Sequence, residues 1–153
     1  MAACDVTPVA SGQNDAVTAH PTPGHPGFQW TGVCLDCADA EALARFYGQL
    51  LGWQITARDG AGWVQIRDPA GGVGLNFQAE TWYEPPIWPE EPGALTKMLH
   101  FEIQVNDLDA AIRHAVSAGA SVATHQPEDR APDRIRVMLD PAGHPFCLFI
   151  AGE

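Results

Sequence analysis

The chain repeats itself, and that repeat limits its fold more than any other feature. The stretch GVCLDCADAEALARFYGQLLGWQI, then WVQIRDPAGGVGLNFQ, has the same grammar as HFEIQVNDLDAAIRHAVSAGASV, then IRVMLDPAGHPFCLFI. Asp39 corresponds to Asp107, an offset of 68 residues, and the Asp68 to Gly71 turn corresponds to Asp140 to Gly143, an offset of 72. The four extra residues fall between helix and second strand, where added loop length costs little. In each half an apolar strand (33–37 and 99–105) stops at an aspartate suited to cap a helix. Ala42, Leu43, Phe46 and Leu50, and then Ala111, Ile112, Ala115 and Val116, recur at helical spacing. Gly52 and Gly119 stand where those helices should end. Two strands follow, joined by the DPAG turn, whose proline and glycine suit a tight reversal. The pattern predicts an α+β fold of two tandem βαβββ modules, module one over 30–80 and module two over 98–153. The linker 81–97 is too rich in proline to be strand or helix.

Composition narrows the class of partner. Hydrophobic residues make up 46% of the 153 and charged residues 18%, enough for one well-buried core. A formal net charge of -11 opposes nucleic acid and anionic membrane surfaces, which need clustered cations. No apolar run reaches the roughly 18 residues needed to span a bilayer. Residues 1–28 carry four prolines, no Lys or Arg, and neither the basic nor the apolar region of a secretory signal, so they read as a loosely packed tail before a domain at 29–153. Cys34 and Cys37 form a C-x-x-C at the end of a strand rather than the start of a helix. With Cys4 and Cys147 they read as unpaired thiols in a reducing cytoplasm.

LDCAD (Leu35 to Asp39), YEPPIWP (Tyr83 to Pro89) and DPAGHPFCL (Asp140 to Leu148) resemble the vicinal oxygen chelate proteins, in particular an actinobacterial glyoxalase-like group akin to bleomycin-resistance proteins. The resemblance covers about residues 30–150. It implies that the modules form a cupped mixed sheet around one pocket. In metal-dependent relatives, ligands come from the first and last strand of each module. Matching the helix caps puts two of these positions at Gly32 and His100. Counting seven residues from each DPAG aspartate puts the others at Leu75 and Cys147. Glycine and leucine cannot coordinate, and two ligands fall short of the three a catalytic zinc normally uses. Neither a metal nor any other cofactor is therefore expected.

Strand alternation then lists the inward side chains: Gly32, Cys34 and Asp36, then Leu75 and Phe77, then His100 and Glu102, then Cys147 and Phe149. With Trp82, Tyr83 and Trp88 of the stiff linker they would bind a ligand, leaving Trp53 and Trp63 to core packing. This composition points to a metal-independent protein that sequesters a planar or apolar metabolite or antibiotic. One alternative is a metal-independent isomerase or lyase with His100 as general base and Glu102 or Asp36 as its partner. The other is a metal-dependent enzyme with the atypical set His100, Glu102 and Cys147. His144, in a turn without a counterpart in module one, is read as solvent-exposed and left out of the site. Closed monomers and paired dimers both suit the architecture, so a homodimer stands beside the small-molecule ligand as a partner.

Overall fold

The computed structural model describes residues 30–152. The tail expected over 1–28 lies outside the described residues, as does Cys4. The order is β1 (Gly32–Cys37), α1 (Ala40–Leu51), β2 (Gln54–Asp59), β3 (Trp63–Arg67), β4 (Gly74–Ala79), β5 (Phe101–Gln104), α2 (Leu108–Ala118), β6 (Ser121–Val122), β7 (Ile135–Leu139) and β8 (Pro145–Phe149). This is βαβββ twice. Both helices start as the aspartates dictate: Asp39 and Asp107 sit in extended backbone and accept from the N–H groups of Ala42 and Ala110, each at 2.9 Å. Gly52 ends α1 with φ 73, a left-handed conformation open to glycine.

The strands form two four-stranded sheets ordered β1-β4-β3-β2 and β5-β8-β7-β6. The first-to-last pairing in each sheet is parallel and the rest antiparallel. β1 and β5 are thus each an edge of their sheet, and no Cα of one comes within 8 Å of the other.

Each sheet buries one face and opens the other. Leu35, Cys37, Leu75 and Phe77 face the core in module one, and Phe146 and Leu148 in module two. A single core runs through both modules because α1 serves both. Tyr47 stacks on Phe77 (centroids 5.6 Å, 17°) and meets Phe101 and Phe146 edge-on at 5.5 and 6.4 Å. Such aromatic pairs add about 0.5–1.5 kcal/mol each beyond their buried area.

Cys34 and Cys37 lie on opposite faces of β1, Cys34 exposed and Cys37 buried, so the C-x-x-C spacing cannot close into a disulfide. Burial pushes the Cys37 thiol from its ordinary 9.0 up to about 11, and its Sγ donates to the Gln78 carbonyl at 3.4 Å. A folded-state pKa above the unfolded one means the native protein keeps a proton that the unfolded chain releases. Stability from this group is therefore complete below about pH 9 and declines as pH rises toward 11. The unfolding free energy, measured by denaturant titration across that window, should fall by on the order of 2 kcal/mol. Cys37→Ala should flatten that part of the profile.

Candidate functional site

The gap between the β1 and β5 edges is a cleft of about 660 Å³. One wall is the end of β1, with Cys34 and Asp36 on its open face. The opposite wall is the start of β5, with His100 and Phe101. Tyr47, His144 and Pro145 complete the interior, and the linker closes over it with Trp82, Tyr83, Glu84, Pro86 and Leu95 to Leu99. Trp82 and Met98 are 84% and 94% exposed, an apolar rim facing water. Asp36, Glu80 and Glu84 give the lining an acidic side. Cys34 cannot supply a thiolate at neutral pH, because partial burial, then Asp36 and Glu80, raise its pKa.

The wall behind the linker is held by a buried hydrogen-bonded chain. Asp140, its side chain fully shielded from solvent, accepts from Tyr47 Oη and His144 Nδ1 at its Oδ2, both at 2.9 Å. Its Oδ1 accepts from the N–H groups of Ala142 and His144, also at 2.9 Å. These four donors fill the carboxylate's acceptor sites. The carboxylate partner assigns a proton to His144 Nδ1, and Nε2 lies 3.1 Å from Tyr83 Oη. Tyr83 in turn donates to the Ala142 carbonyl at 2.7 Å. Burial and Asp140 hold both tyrosines well above the usual phenol range, so each is neutral near pH 7. Linker and cleft wall are thereby tied to the β7–β8 turn.

Cys34, Asp36, Trp82, Tyr83 and His100 come together in the cleft, but other residues expected to bind do not line it. Leu75 and Phe77 are corrections: they are 9% and 0% exposed and pack against α1. Module one has one more residue than module two between the DPAG aspartate and the last strand. Cys34 pairs with Asn76 whereas Glu102 pairs with Cys147, so the equivalent of Cys147 is Asn76 at an offset of 71. Gly71 and Gly72 both take positive φ (94 and 109), and module two has only Gly143 there (φ 93). A slip of one residue exchanges the faces of a strand. Glu102, Cys147 and Phe149 share the open face of module two with His100 but lie outside the cleft lining, as does Gly32 in module one. Trp88 is also misassigned as a stacking group: its indole donates to the His125 carbonyl at 3.1 Å, under Lys97 Nζ at 4.5 Å from the ring centroid. It fastens the linker to module two. Trp63, expected in the core, pairs with Gln78 and shares the open face of module one.

His144 is the main residue that sequence reasoning left out. Its signal was the contrast between GHPF and GGVG: a titratable ring where the repeat has none, four residues after an aspartate.

A family model described as glyoxalase-like domain matches residues 32–149. The chain belongs to the glyoxalase-like domain family. No curated protein matches its sequence. Among solved structures, the glyoxalase-like chain resembles a glyoxalase/bleomycin resistance protein/dioxygenase family enzyme from Burkholderia phytofirmans PsJN. The two are 18% identical with a TM-score of 0.58, over 79% of this chain and 97% of that one. A bleomycin-binding protein complexed with bleomycin matches at 23% identity and TM-score 0.52, over 82% and 100% of the two chains. TnmS3, an antibiotic binding protein from Streptomyces sp. CB03234, matches at 18% identity and TM-score 0.54, over 84% and 100%. At these identities the likeness is one of fold.

The metal that the resemblance implies does not fit the residues present. The corrected ligand positions hold Gly32, Asn76, His100 and Cys147. Gly32 offers no donor, and Asn76 Oδ1 already accepts from Gln65 Nε2 at 2.9 Å. Burial and then Glu102 raise the Cys147 pKa, against the thiolate a metal needs. Among the described residues, no three His, Cys, Asp or Glu side chains gather as a metal site would require.

Proposed function

We propose that this glyoxalase-like protein is a metal-independent cytoplasmic binder that sequesters a planar, largely apolar metabolite or antibiotic in the cleft between β1 and β5. The observation that carries the reading is the cleft itself. At about 660 Å³ it falls within the range of small-molecule sites, and its lining sets Tyr47, Trp82, Tyr83, Met98, Leu99 and Phe101 among charged groups and histidines. Trp82 waits exposed at the rim, while Tyr83 is held to the wall by two contacts. The antibiotic-binding proteins of similar fold support this reading by analogy. The acid–base alternative is less well supported: His100 Nε2 is 3.7 Å from Glu102 Oε1, and both side chains are open to solvent. In the cytoplasm the separated Cys34 and Cys37 would stay reduced. Among the described residues no helix is long and apolar enough to cross a membrane.

Tryptophan fluorescence tests the proposal. Titration with a panel of planar aromatic compounds should give a saturable blue shift with at least one scaffold. Trp82→Ala should weaken that binding roughly 2- to 10-fold, the worth of one aromatic contact. No response across neutral, cationic and anionic members of the panel would overturn the reading.

A further inference from the structure

The open face of module one carries a row of half-buried polar side chains that the cleft does not use. Gln65 Oε1 accepts from Thr56 Oγ1 at 3.2 Å and from Arg67 Nε at 3.1 Å. Gln65 Nε2 donates to Asn76 Oδ1 at 2.9 Å, and Arg67 Nη1 reaches the Gly72 carbonyl at 3.4 Å. These bonds hold three strands' side chains in one line and fix which way each amide points. Among the described residues they leave Asn76 Nδ2 and Arg67 Nη2 with N–H groups that no protein acceptor takes. Next to these donors the sheet has no side chains. Gly32 pairs directly with Gly74. A Cβ at Gly32 would stand 2.8 Å from the Gly74 carbonyl oxygen and 3.1 Å from Asn76 Nδ2, and one at Gly74 would stand 2.9 Å from the Ile66 carbonyl oxygen and 3.4 Å from Arg67 Nη1. Arg67 lies over Gly74, which is buried, so the opening is a patch at half-buried Gly32, beside the Arg67 guanidinium and the Asn76 amide.

We infer that this patch is an oxyanion subsite, and that the ligand is an aromatic acid whose carboxylate is held by Arg67 and Asn76. A guanidinium and an amide N–H are suited to carboxylate oxygens, and bonds to charged groups are the stronger ones. The line of the molecule follows from β1. Gly32 shares a face with Cys34 and Asp36, two and four residues on, so the subsite lies about 7–13 Å from the cleft wall at some 3.3 Å per residue. A carboxylate at Arg67 therefore leaves the ring system running toward the cleft, and the acidic residues Asp36 and Glu80 repel the reverse orientation. This inference rests on the cleft reading only for where the rings go. The carboxylate site stands by itself.

The test uses the full chain, with benzoate as the probe and benzamide as its neutral match, followed by ¹⁵N NMR of side-chain N–H groups. The resonances of Asn76 Nδ2, Gln65 Nε2 and Arg67 Nε should shift saturably with benzoate. They should respond to benzamide at least tenfold more weakly. Arg67→Gln, with its fold checked by backbone spectra, should weaken benzoate at least tenfold, and Arg67→Lys should fall between. Equal response to both probes, no response to benzoate, or an indifferent Arg67→Gln would overturn the subsite. If naphthalene still binds at Trp82 in that case, only the subsite fails. If benzoate binds while every planar probe fails at Trp82, only the cleft reading fails.

Discussion

Asp140→Ala is expected to destabilise the protein by about 3–5 kcal/mol, because it removes one end of a buried network and leaves the other ends unpaired. Tyr47 Oη would lose its acceptor inside the core, where the residue is 1% exposed. His144 would lose the carboxylate that orients its ring, and two turn N–H groups would lose their partner. The apparent melting temperature should drop by roughly 10–20 °C. Asp68 is the built-in control. It occupies the same place in the same DPAG motif, but its carboxylate accepts from the Ala70 N–H in an exposed turn at 2.8 Å. Asp68→Ala should cost less than about 1 kcal/mol. Urea denaturation of both variants measures the difference. Equal costs would mean that the buried chain contributes nothing specific.

The second large effect concerns register. Phe77→Ala should cost about 3–5 kcal/mol, since Phe77 is fully buried and stacked on Tyr47 at the junction of the modules. Its neighbour Asn76 points to the open face, and Asn76→Ala should cost no more than about 1.5 kcal/mol through the lost bond to Gln65. Reversed magnitudes would mean that β4 presents the other face to the core.

These two contrasts fall where local sequence signals give way to long-range packing. The modules were legible because their signals are local. Asp39 and Asp107 cap, Gly52 and Gly119 stop, and apolar spacing changes from 3.6 to 2 between them. The face of β4 was not legible by counting from Asp68, because Gly72 adds one residue that a repeat alignment anchored on DPAG spreads across the whole strand. Module two, without that residue, has Cys147 and Phe149 on the open face but outside the cleft lining. The cleft was legible only in part. Cys34, Asp36 and His100 follow from alternation along β1 and β5, and Trp82 and Tyr83 from stiff aromatic chemistry in the linker. Which linker aromatic would face the cleft depended on long-range partners, His125 for Trp88 and His144 for Tyr83. His144 itself looked like an ordinary turn residue until the fold brought Asp140, Tyr83 and Tyr47 around it.

A ligand seated in the gap between β1 and β5, under the linker, would perturb the backbone amides around it. Backbone amide NMR during titration with the best planar probe should show saturable shifts concentrated at Cys34 and Asp36, at 81–84, at 95–101 and at His144. Shifts confined to the helices or to the β2 edge, or saturable binding that leaves those segments unmoved, would contradict that placement.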